Sequence, residues 1–139
     1  MAEGAGAQHE TAPVLPRWRV VWIALGLLIL AGVLYLALLP LRKVLPGVEF
    51  SDKIAHFILF AGLMVWFAAQ VQPRHYIWVL LALLGYGVGM EVMQSFRPHR
   101  SAELADLLAD AGGLLVGWWL SRMGLARWPH WVEGLFVRS

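Results

Sequence analysis

The stretch DLLADAGG, residues 106–113, places Asp106 and Asp110 four residues apart at the head of an otherwise apolar run. A lone carboxylate at a bilayer centre costs roughly 2.5–3.5 kcal/mol on insertion scales, so two on one helical face call for partners or a functional site. The rest of the chain offers those partners at helical spacings. Asp52 and His56 are four apart with Lys53 beside them, and Glu91 and Gln94 are three apart with Gly87 one turn earlier. Arg97, His99 and Arg100 lie between Gln94 and Asp106. Histidine and grouped carboxylates are the residue types of general acid–base catalysis or of a single metal ion. Lys53, Arg97 and Arg100 suit a phosphate or carboxylate, arginine in bidentate fashion. His56 is the one member whose ordinary titration range is close to neutral pH.

Nothing in the sequence completes an enzyme motif. HExxH is absent, and Ser95 and Ser101 lack a nucleophile elbow. GYGVG, residues 85–89, does not have the spacing of a nucleotide loop and lies inside an apolar run, where helix packing is its natural use. No catalytic residue, resident metal or cofactor is therefore assigned. With no cysteine in the chain, disulfides, thiolate catalysis and Cys-ligated metal sites are excluded. The formal net charge of +2, with basic residues scattered at segment ends, excludes a nucleic-acid surface.

Positioning these groups falls to membrane helices. The 139 residues are 60% hydrophobic and 14% charged, against roughly 25% charged in soluble domains. Residues 1–18 read as a disordered tail. Four apolar runs follow, predicting helices over about 20–39, 54–71, 76–96 and 104–123. The first has about the twenty residues that cross a hydrocarbon core and exceeds the apolar core of a cleaved signal peptide, so it reads as a permanent anchor. The tight QPRH turn makes the second and third helices antiparallel neighbours. The tail 124–139, with Trp128, Trp131 and Phe136 beside Arg127 and Arg138, reads as an interfacial or cytoplasmic tail that can form a short helix in the interface. The fold class is all-α, an integral membrane four-helix bundle.

Four crossings put both termini on one side, with Arg17, Arg19, Arg74, Arg122, Arg127 and Arg138. The other side has Arg42, Lys43, Lys53, Arg97 and Arg100. Glu49, Asp52, Glu91, Glu103, Asp106 and Asp110 all accompany the second set. Cations there have carboxylate partners, whereas those beside the termini mostly do not, which favours cytoplasmic termini. One stripe of the fourth helix carries Asp106, Asp110, Gly113 and Gly117 at spacings of four, three and four. Glycine lets helices approach closely, and Gly85 and Gly89 offer a similar face on the third helix. The stripe therefore points into the bundle, where the acids meet a polar pocket of Asp52, Lys53, His56, Glu91, Gln94, Arg100, Asp106 and Asp110. That set serves a ligand, a reaction, or an interhelical network that only orders the helices.

DKIAHFILF, EVMQ, the Arg100-Ser101 pair and DLLADAGGLLVG together resemble the VanZ-like family of small bacterial membrane proteins. The resemblance covers roughly residues 38–120 through Asp52, Lys53, His56, Phe57, Glu91, Gln94, Arg100, Ser101, Asp106, Asp110 and Gly113. Asp110 stands where the family's pattern has asparagine. The first helix and both tails match in hydrophobicity alone. The family is named for low-level resistance to the glycopeptide teicoplanin. The resemblance thus implies a cell-envelope role at the inner membrane, with the bilayer as surroundings and a lipid-linked precursor, lipid headgroup or glycopeptide as ligand. It supplies no reaction and no oligomeric state.

Because the chain lacks cysteine, single introduced cysteines report sidedness cleanly. Ser101→Cys is expected to react with a membrane-impermeant maleimide in intact cells, and Gln72→Cys only after the cells are opened. The reverse pattern would invert the orientation.

Overall fold

The computed structural model describes residues 16–39, 49–96 and 104–136. Among them are five helices: α1 (Pro16–Leu38), α2 (Glu49–Ala68), α3 (Tyr76–Ser95), α4 (Leu104–Arg122) and α5 (Trp128–Phe136). Short 3₁₀ turns, Pro73–His75 and Leu125–Arg127, precede α3 and α5. No strand occurs among the described residues. Two helix starts come earlier than the apolar runs suggest: α1 begins at Pro16 and α2 at Glu49. Hydropathy marks where a helix enters an apolar medium, whereas the helix itself needs only backbone geometry and a tolerable first turn. Proline suits the first position of α1, and an acidic Asp52 suits the first turn of α2, near the positive end of its dipole.

Among the described residues, three segments are long and apolar enough to cross a membrane: Trp18–Leu38, Pro73–Ser95 and Leu104–Arg122. The expected fourth crossing, α2, has Asp52, Lys53 and His56 within its first eight residues.

The core lies among α2, α3 and α4, on Phe60, Leu63, Met64 and Ala68, on Tyr76, Leu83 and Met90, and on Leu114. The α2–α4 interface is the most extensive. Glycine makes it so. A Cβ at Gly113 would overlap the Phe57 carbonyl oxygen, and one at Gly117 would lie 2.5 Å from the Ala61 carbonyl oxygen. The backbones of α2 and α4 therefore approach too closely for a side chain at either position, which is the small-residue packing that lipid-embedded helices use when no hydrophobic drive separates protein from solvent.

Gly85 and Gly89 do not form such a face. A Cβ at either meets nothing within 4 Å. The buried side of α3 carries Leu83, Gly87, Met90, Glu91 and Gln94, and residues two away from Gly87 point about 200° around the helix. Gly87 is the close contact instead: its Cβ would lie 2.9 Å from Asp110 Oδ2 and 3.2 Å from Phe60 Cζ.

α1 is attached differently. It is the least buried of the long helices: Gly26 is its buried residue, and Leu30, Val33, Leu34 and Ala37 are half-buried against the core. Trp66 Nε1 donates to the Trp22 carbonyl (3.0 Å), Tyr86 Oη to the Leu30 carbonyl (2.7 Å) and Gln94 Nε2 to the Ala37 carbonyl (3.0 Å). Positions 22, 30 and 37 lie on one stripe of α1. Gly26 shares that stripe, and a Cβ there would come within 2.8 Å of Phe67 and Trp66.

Gly124, at φ 109°, ends α4 in the left-handed conformation that glycine adopts without penalty. The chain then turns into α5, where Trp22 Nε1 donates to Glu133 Oε1 at 3.2 Å. Trp22, Trp66 and Trp128 pack together, with ring centroids 4.7–5.9 Å apart.

Gly113→Ala and Gly85→Ala should therefore part company in thermal unfolding in detergent. The first forces α2 and α4 apart and is expected to cost about 1–3 kcal/mol or more, as overpacking does. The second is expected to be neutral or to stabilise by about 0.4–1 kcal/mol through the unfolded state.

Candidate functional site

At one end of the α2–α4 pair, close approach of the backbones brings four ionisable side chains into two contacts. Lys53 Nζ donates to Asp106 Oδ1 at 2.9 Å. His56 Nδ1 and Asp110 Oδ1 are 2.9 Å apart. A third carboxylate, Asp52, stands one turn before His56, its Oδ1 4.0 Å from His56 Nε2. The His56 ring lies nearly parallel to that of Phe60, at 8° and 6.5 Å between centroids.

Burial grades along the cluster. The Lys53 side chain is 34% exposed and that of Asp52 27%, which makes them the mouth. His56 and Asp106 are buried, and Asp110 is wholly enclosed at 0%. Its Oδ2 lies against Gly87 and finds no hydrogen-bond partner among the described residues. A side chain at position 87 would occupy that space. Glycine there is what allows the Asp110 carboxylate to sit between α2 and α3.

Glu91 is buried on the same side of α3, one turn after Gly87. Gln94 departs from the expected pocket. It is buried, but its amide N–H is directed to the Ala37 carbonyl, so its donor fastens α1 rather than facing the acids. The reason is position: Gln94 is three residues nearer the end of α3 than Glu91, where α1 runs alongside. Its Oε1 also lacks a hydrogen-bond partner among the described residues. Arg97, His99, Arg100 and Ser101 lie outside the described residues.

Chemically, the described cluster is acidic. Asp52, Asp106, Asp110 and Glu91 outnumber Lys53 and His56. Asp52, His56 and Asp106 each bring one ligand atom within 4.8 Å of the others. With His56 Nδ1 occupied by Asp110, Nε2 is the ring atom turned toward Asp52. A histidine held through one nitrogen by a carboxylate, with the other nitrogen directed at further carboxylates, is the arrangement that orients metal-ligating histidines.

Sequence spacing identified the stripe of Asp106, Asp110, Gly113 and Gly117, all of which are buried. It did not identify the use of Gly87, although its place one turn before Glu91 was visible. Nor did it find the hydrogen bonds to α1, because a carbonyl acceptor leaves no signature in a sequence.

The fold and site define an all-helical protein with membrane-like helices and a buried carboxylate–histidine pair between two of them. The VanZ/LLP1 family model matches residues 17–126, and the chain belongs to that family. No curated protein and no solved structure matches it significantly.

Breaking one half of the buried pair is expected to cost more than removing both. His56→Leu leaves Asp110 enclosed and uncompensated, for an expected loss of about 3–5 kcal/mol. Adding Asp110→Leu should restore much of that stability. Purely additive losses in a double-mutant cycle would show that the two side chains are not coupled.

Proposed function

We propose that this protein crosses the bacterial inner membrane four times and binds an envelope ligand at the outward mouth of its polar cluster. In this reading α2 is the fourth crossing, both termini are cytoplasmic, and α5 lies in the interface with Trp131 and Leu135 toward lipid. The ligand is a lipid-linked cell-wall precursor, a lipid headgroup or a glycopeptide, and low-level teicoplanin resistance is the corresponding phenotype.

One observation carries this reading over a purely structural network: Asp110 Oδ2 has no hydrogen-bond partner among the described residues although the side chain is 0% exposed. An unmet buried acceptor costs about 1–3 kcal/mol, a cost that a donor group entering the cluster would offset. An unused acceptor beneath a mouth formed by Asp52 and Lys53 suits a group that arrives from outside. The acidic excess favours ligand groups that carry ammonium or hydroxyl donors, as a glycopeptide or a sugar headgroup does. Phosphate recognition would fall to Lys53 together with Arg97 and Arg100.

A membrane enzyme is the second reading, favoured by the approach of Asp52, His56 and Asp106 to within 4.8 Å of one another. A divalent ion held there would supply Lewis acidity, with Asp110 fixing the orientation of the His56 ring.

Teicoplanin susceptibility in a glycopeptide-sensitive host tests the first reading. Cells making the wild-type chain should be less susceptible than cells without it, and Asp106→Asn at matched membrane abundance should abolish the difference. The same variant should unfold at an unchanged or higher temperature, since binding residues are often held at a cost to stability. A loss of stability with no change in susceptibility would assign the cluster to helix order.

A further inference from the structure

The α2–α4 pair has a second feature at the end remote from the polar cluster. A groove of about 380 Å³ opens there, with Gly62, Val65 and Trp66 on one wall and Leu120, Leu125 and Trp128 on the other. Its lining is almost entirely apolar, and its volume falls in the range of about 300–1,000 Å³ seen for small-molecule sites. Leu120 lies in the last turn of α4, a helix apolar and long enough to cross a membrane, and Leu125 and Trp128 follow it, so the groove sits at that end of the helix.

Gly62 is central to it. Gly113 and Gly117 are explained by backbone contact, whereas a Cβ at Gly62 meets nothing within 4 Å. A glycine in mid-helix with no neighbour to accommodate weakens the helix without improving any contact within the chain. What its missing side chain does provide is open space in the groove.

The surroundings indicate what fills that space. Arg19, Arg74, Arg122 and Arg127 are all at this end, and the acid among the described residues there, Glu133, accepts from Trp22. Arg122 and Arg127 are both exposed. Trp66 and Trp128, which line the groove, belong to the three-tryptophan cluster with Trp22. Indole rings of this kind settle at headgroup level, and clustered basic residues attract anionic lipid.

We propose that this groove holds one acyl chain of an anionic phospholipid, with the headgroup among the arginines of the same end. The site is separate from the polar cluster and independent of what that cluster binds. Phosphate on the headgroup meets guanidinium groups, and the chain runs past Trp128 and Leu125 toward Gly62.

The test is lipid retention. The full chain is reconstituted in vesicles of equal phosphatidylglycerol and phosphatidylcholine, extracted in mild detergent, and its bound lipid counted by native mass spectrometry. The wild type is expected to keep one phosphatidylglycerol in preference to phosphatidylcholine. Gly62→Phe, at a position where a Cβ meets nothing within 4 Å, fills the groove and should lower retention about tenfold, which is roughly 1.4 kcal/mol. Gly32→Phe, on α1 at a position equally open, should retain lipid as the wild type does. Arg122→Gln with Arg127→Gln should keep a lipid but lose the preference for phosphatidylglycerol. Equal retention of the two lipids by the wild type would overturn the proposal, as would undiminished retention in Gly62→Phe. Should Gly62→Phe fail to fold, an unchanged preference in the arginine double variant would overturn it as well.

Discussion

Asp110 is wholly enclosed in an apolar bundle, and its charge is tolerable because His56 stands 2.9 Å away. Much of the architecture follows from that contact. The two side chains are short and belong to different helices, so α2 and α4 must run almost in backbone contact. Gly113 and Gly117 make this possible one and two turns further along the same stripe. On the other flank, α3 must leave room for the second carboxylate oxygen, and Gly87 does so. Three glycines on two helices thus serve a single ion-pairing position. Lys53 and Asp106 repeat the contact one turn nearer the mouth, where exposure of the lysine lessens the demand for exact fit.

The α2–α4 stripe was legible in the sequence because its residues combine two signals that rarely coincide. Carboxylates are improbable in an apolar helix unless they face inward, and glycines at spacings of three and four say which direction inward is. Gly85 and Gly89 have the spacing without the carboxylates, and they lie on the outward side of α3. Spacing alone identifies a stripe but leaves its direction open. Gln94 shows a different limit. It shares a face with Glu91, as three-residue spacing requires, yet its donor serves α1. Which helix lies beside each turn of α3 is a tertiary fact. Helix starts were misplaced for a related reason, since α2 begins before its apolar run and continues through charged residues that belong to the mouth.

The two ends of the α2–α4 pair are built on opposite principles. One end collects carboxylates, a lysine and a histidine at a graded entrance. The other collects tryptophans and arginines around an apolar groove. Between them, Phe60 and Met64 are fully buried and fill the core. Phe60 lies against both the His56 ring and Tyr86. A single aromatic side chain therefore separates the polar cluster from the tyrosine that holds α1.

That attachment has a consequence for how this helix can evolve. All three acceptors on α1 are main-chain carbonyls, at Trp22, Leu30 and Ala37. Every residue type possesses one, so these three hydrogen bonds do not depend on which side chains α1 carries at those positions, although Gly26 must stay small and Leu30, Val33, Leu34 and Ala37 also pack against the core. The heritable information for the joint resides on the donors, Trp66, Tyr86 and Gln94. Exchange of the α1 side chains at those three acceptors should therefore leave the joint intact, whereas loss of a donor would break it.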